Sequence, residues 1–154
     1  MRSCGDPIRS RATGTPRRAT YDLGIVSTGD EGSSDHDDEI RLGVPAIGSY
    51  GRVARLAVVG LASRSGFSYD EVEDLRIAVG EIFGLLVQPE DADVRLVFSC
   101  RLRPDALDLT ATREPPGAIP QISDLSSQIL HAVADEVDVD LGAATIRIVK
   151  ALVG

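Results

Sequence analysis

Apolar residues first alternate at Ile40, Leu42 and Val44, which predicts a half-buried strand over residues 39–45 that Pro45 ends. The period then lengthens. Ser49 is placed to cap a helix over about 50–63, with Val53, Leu56, Ala57, Gly60 and Leu61 turned inward, and Ser65-Gly66 breaks it. The strongest pattern follows. Val72, Leu75, Val79, Ile82 and Leu86 recur at three and four residues, and Ala78 and Phe83 widen them into a buried stripe. The start of this helix is explicit: Ser68 is an N-cap, Glu71 completes a capping box, and Phe67 and Val72 can close as a hydrophobic staple. Asp70, Glu71, Glu73 and Asp74 suit the positive end of its dipole, and Pro89 bounds its end.

Alternation then resumes at Val94, Leu96, Phe98 and Cys100, and after a Pro104-Asp105 turn at Leu107, Leu109 and Ala111, predicting a hairpin. Residues 113–120 hold three prolines and predict an irregular passage. Ser123 or Asp124 caps a third helix to about residue 135, with Leu125, Ile129, Leu130 and Val133 on its inner stripe. Val137, Val139 and Leu141 form a fourth strand, Gly142 turns, and residues 145–149 form a fifth. The order is β-α-α-β-β-α-β-β. The fold class expected is α+β, a two-layer sandwich of an antiparallel or mixed sheet with three helices on one face.

Composition narrows the picture. The 154 residues fit one domain, and 43% of them are apolar, enough for a core. Aromatics are only 4% and Trp is absent, so the core is expected to be aliphatic. A net charge of −8 argues against nucleic acid, whose binding rests on phosphate neutralisation, and suits a basic protein surface. Cys4 and Cys100 form no disulfide framework or metal pair, which favours a reducing cytoplasm. The longest apolar run, residues 56–62, is too short for a bilayer, and no apolar stretch follows the early arginines, so neither a membrane span nor a secretory signal is expected.

Residues 1–38 have few large apolar side chains and are expected to be a disordered, charge-segregated tail preceding a domain at 39–154. Arg17-Arg18-Ala19-Thr20 has the form of a basophilic kinase target. His36 lies among acids, where a weak ion site is the sharper reading. His131 has no second ligand at helical spacing, and Cys100 reads as a small core residue.

Four stretches together carry a family resemblance: DLRIAVGE at 74–81, LDLTA at 107–111, ILHAVADEV at 129–137 and GAATIRIVK at 142–150. In order and spacing they resemble the smallest GHKL (Bergerat-type) ATPase domains, and among those the bacterial anti-sigma-factor serine kinases of the RsbW type. The resemblance covers about residues 39–152. It implies that fold, a sigma factor or a STAS-type anti-anti-sigma protein as partner, and a homodimer. It also implies an ATP site with a Glu and an Asn one helical turn apart, a D-x-G-x-G box and a second glycine box.

Here the Glu is Glu81, a vestigial catalytic candidate, and the Asn position is Leu85, which offers magnesium no oxygen. The first box reads Arg113, Pro115 and Gly117. Arg accepts no hydrogen bond from adenine, and Pro lacks an N–H. The second box has Asp124 and Ser126 at its glycine positions, and an Asp beside a phosphate repels it by roughly 1 kcal/mol or more. Only residues 118–122 separate Gly117 from Ser123, leaving almost no lid. The expectation is therefore a regulator that sequesters its partner without ATP, magnesium or any other cofactor. An active ATP-dependent serine-protein kinase and an orphan interaction domain are the alternatives. Arg52 occupies the position where the resembling family contacts the sigma factor, and with Tyr50 it is the expected partner-binding element.

Overall fold

A computed structural model describes residues 38–153. The charge-segregated tail, with Thr20, His36 and Cys4, lies outside the described residues. The elements run β1 (Asp38–Ala46), a 3-10 turn (Gly48–Tyr50), α1 (Gly51–Arg64), α2 (Tyr69–Leu86), β2 (Asp91–Leu102), β3 (Ala106–Glu114), α3 (Asp124–Val133), β4 (Glu136–Asp140) and β5 (Thr145–Ala151). The five strands form one sheet in the order β1-β2-β3-β5-β4, with every neighbour antiparallel. The α+β two-layer class is as expected.

Strand alternation fixes the two faces of the sheet. Phe98 of β2, Ala111 of β3 and Ile146 of β5 lie opposite one another and are fully buried, as is the neighbouring row of Cys100, Leu109 and Ile148. These rows meet Leu75, Val79, Ile82 and Leu86 from α2 in one aliphatic core. Phe83 and Phe98 supply its aromatic contact, stacked at 6.3 Å between ring centroids.

Helix α2 is the central element. Ser68 Oγ accepts from the Glu71 N–H while Glu71 accepts from the Ser68 N–H at 2.6 Å, so the capping box is complete. Both staple residues, Phe67 and Val72, are buried. Every apolar residue expected on the inner stripe of this helix is buried.

Five expectations are corrected. Helix α1 turns its other face inward: Gly51, Ala54, Val58 and Ala62 are buried, whereas Val53 is 44% and Leu56 65% exposed. Apolar residues surround this helix, so periodicity alone left two candidate faces. Close approach to α2 selects the small one, since a Cβ on Gly51 would lie 3.1 Å from the Phe83 ring. Ser49 makes no cap, because the 3-10 turn runs directly into α1 with Tyr50 already helical. Pro45 does not end β1, which continues to Ala46 after a register shift. β1 is an edge strand, where a residue without an N–H is tolerated. Leu125 is 67% exposed rather than core, and α3 stops at Val133 because the Asp135 N–H already bonds the Val149 carbonyl of β5.

Candidate functional site

The positions that the resemblance singles out lie along α2, at the end of β3 and at the start of α3. Helix α2 is pinned at both ends. At its start, the Glu71 carboxylate also accepts the Val153 N–H at 2.7 Å, and Lys150 pairs with Asp74 at 2.8 Å. The Val153 bond, then the bonds from Ser68, and last the Lys150 charge hold the Glu71 carboxyl below its ordinary pKa of 4.5. A folded-state pKa below the unfolded one means stability that is complete above pH 4.5 and is lost as pH falls through the lowered folded value. Between pH 6 and pH 3 the denaturant midpoint of wild type is therefore expected to fall more than that of Glu71→Gln; parallel curves would count against the clamp.

The far end of α2 is held by Arg113. The β3 strand runs through Arg113 to Glu114, further than expected, and alternation turns Arg113 toward the helices beside Ala111. Only 4% exposed, its guanidinium donates to the Leu86 carbonyl at 2.7 Å and to the Pro89 carbonyl at 3.0 Å. Leu86 is the last residue of α2, so Arg113 satisfies a carbonyl with no intrahelical partner and sets a cation at the negative end of the dipole.

The other positions surround this latch or stand away from it. A Cβ on Gly117 would come within 3.6 Å of Arg113 Nε, so the glycine sits against the latch, while Pro115 is exposed. Leu85 is half-buried against the core. At the start of α3, Ser123 Oγ takes the Ser126 N–H at 3.0 Å, and Asp124 stands exposed in the first turn. Glu81 opens elsewhere, into a depression between α1 and α2 lined also by Arg55, Arg76 and Gly80. Arg52 lines the adjoining depression, and Tyr50 is 38% exposed at the start of α1. The structure thus joins Arg113 to Gly117, and sets Glu81 and Arg52 on one shared surface.

The chemistry of these groups follows from their contacts. Leu85 supplies no ligand, Arg113 presents donors that are already engaged, and the N-terminus of α3 carries a carboxylate and its own cap. Among the described residues no cluster of His, Cys, Asp or Glu could hold a metal. Cys100 is buried, which pushes its thiol up to about 11, so it is a poor nucleophile. No described helix is long and apolar enough to cross a membrane.

Two features escaped the sequence reading. Asp108, buried on the open side of the sheet, accepts from Arg147 at 2.6 Å and from Arg103 at 3.0 Å. An Asp alternating with buried leucines was the available signal. The second is the Arg113 latch, which an Arg in phase with Leu107, Leu109 and Ala111 already indicated.

No protein-family model matches the chain. It is 36% identical over 78 residues to a serine-protein kinase RsbW of Bacillus cereus (strain B4264), covering 48% of each chain. It is 52% identical over 44 residues to an RsbW of Listeria monocytogenes serotype 4a (strain HCC23), covering 29% of this chain and 28% of that one. This chain is RsbW-like. The chain spans about half the length of the curated relatives it matches, or less. The fold agrees: a crystal structure of the RsbU and RsbW domains of a Mycobacterium tuberculosis protein superposes with a TM-score of 0.57. That alignment has 13% identity and covers 73% of this chain and 31% of that one. The comparisons thus give a partial sequence similarity to RsbW serine-protein kinases and a shared fold.

Proposed function

We propose that this RsbW-like chain is an anti-sigma-type binding module. It sequesters a sigma factor or a STAS-type anti-anti-sigma protein stoichiometrically, in the cytoplasm, and it transfers no phosphoryl group. The observation that carries this reading is Arg113, whose guanidinium fastens the end of α2 to β3 where the resembling kinases keep an adenine-accepting Asp. The loss of an oxygen ligand at Leu85 and the carboxylate of Asp124 support it. Arg52 and Tyr50, exposed at the start of α1, are the partner-binding residues on this reading.

Titration calorimetry with ATP and magnesium is expected to give no heat of binding at micromolar concentrations, and micromolar affinity would overturn the reading. Crosslinking followed by co-purification from the native host is expected to recover a sigma factor or a STAS protein. Glu81 keeps a second reading alive, an active kinase with a rebuilt site. Transfer of labelled phosphate to the recovered partner, abolished by Glu81→Gln, would favour that kinase.

A further inference from the structure

Two of the large apolar side chains left exposed on α1 and α2 line adjoining depressions. Leu56 is 65% exposed and Ile77 48%, and they stand on either side of a groove between the two helices. The groove is two adjoining depressions of about 550 Å³ each, sharing Arg55, Glu73 and Arg76. Gly80 lines one of the depressions. A Cβ there would meet only Arg55, at 3.6 Å, an ordinary contact. Packing within this chain therefore does not require glycine in the middle of α2, where glycine disfavours the helix.

Charge identifies the visitor. The chain as a whole carries −8, yet this groove is rimmed by Arg52, Arg55 and Arg76, against Glu73 and Glu81. Arg76 is bonded to Glu73 at 2.8 Å, whereas among the described residues neither Arg52 nor Arg55 is in an ion pair. A groove between two helices that sets Leu56, Val59 and Ile77 beside Arg52 and Arg55 matches an amphipathic helix laid lengthwise, its apolar residues at every third and fourth position and its flanks acidic. A membrane fits less well: the surface is concave, and a strongly acidic chain is repelled by an anionic bilayer.

We propose that the α1–α2 groove docks an acidic amphipathic helix of the partner protein, with Leu56 and Ile77 as apolar anchors and Arg52 and Arg55 as its charge-selective rim. This rests on the binding-module reading and extends it from the start of α1 to the outer face of α2.

The probe is a fluorescein-labelled helical peptide with leucines on one face and glutamates on the others, read by anisotropy against the whole chain. Binding is expected, weakened at least about tenfold by Ile77→Glu, Arg55→Glu and Gly80→Leu. Leu125→Glu, on the exposed face of α3, is expected to leave it unchanged, with circular dichroism confirming that each variant is folded. Equal binding of the lysine counterpart, an unchanged affinity in Ile77→Glu, or binding only to phosphatidylglycerol vesicles would overturn the proposal. Recovery of a sigma factor or STAS protein equally by wild type and by Ile77→Glu and Arg55→Glu would overturn the groove and leave the binding-module reading standing. Peptide binding with the expected variant pattern, but no such partner recovered, would do the reverse.

Discussion

Arg113→Ala is expected to destabilise the domain by about 2–4 kcal/mol, since hydrogen bonds to charged groups contribute about 1.5–3 kcal/mol each and losing a partner leaves buried groups unsatisfied. Two carbonyls are involved, Leu86 at 2.7 Å and Pro89 at 3.0 Å, and the first is shielded from water. Part of the loss is offset, because the variant no longer holds a desolvated guanidinium. The effect is still a large share of the ~5–15 kcal/mol typical of a domain. Arg113→Met separates the contributions by keeping the aliphatic volume and removing the donors; it should recover only part of the loss. Arg113→Asp is the sharpest variant. It restores the residue type that the resembling kinases use toward adenine, yet here it sets a carboxylate against two carbonyls and the negative end of α2. At neutral pH it should be less stable than Arg113→Ala. Urea denaturation checks all three: a lower midpoint at constant slope is a loss of stability. An unchanged midpoint in Arg113→Ala would show that the latch holds nothing.

That latch also shows what was legible in the sequence. As a sequence position, Arg113 indicates only what it cannot do, which is accept a hydrogen bond. Its positive task needed the third dimension, because Leu86 and Pro89 lie 27 and 24 residues away along the chain. Helix α2 was legible nearly residue by residue, since its cap, staple and stripe are local and all agree. The opposite held for α1. Both of its faces carry apolar residues, and packing in the core, with Gly51 against Phe83 and Ala54, Val58 and Ala62 buried, distinguishes them. The difference carries functional weight, because Val53 and Leu56, expected in the core, are exposed, and Leu56 lines the groove. Glu81 was likewise visible as the acid of the resembling motif, but its company of Arg55, Arg76 and Gly80 comes from the packing of α1 on α2.

The two faces of α2 set the second large effect. Leu75→Ala should cost about 2–5 kcal/mol, whereas Ile77→Ala, two residues on, should stay within about 0.5 kcal/mol. The chemistry of the two substitutions is similar; the difference is burial. Leu75 is fully buried among core residues of α2 and the sheet, so its removal loses transfer energy and leaves a cavity that close-packed neighbours fill only in part. Ile77 is 48% exposed and its truncation opens no cavity. The same pair inverts in the binding measurement. Leu75→Ala, once folded, should bind the acidic helical peptide as wild type does, while Ile77→Ala should weaken it. Such a crossing of stability and affinity between two faces of one helix distinguishes a side chain kept for packing from one kept for a partner. If both variants lost stability equally, Ile77 would belong to the core and the groove would lose an anchor. If both bound equally, α2 would contribute its fold but no contact to recognition.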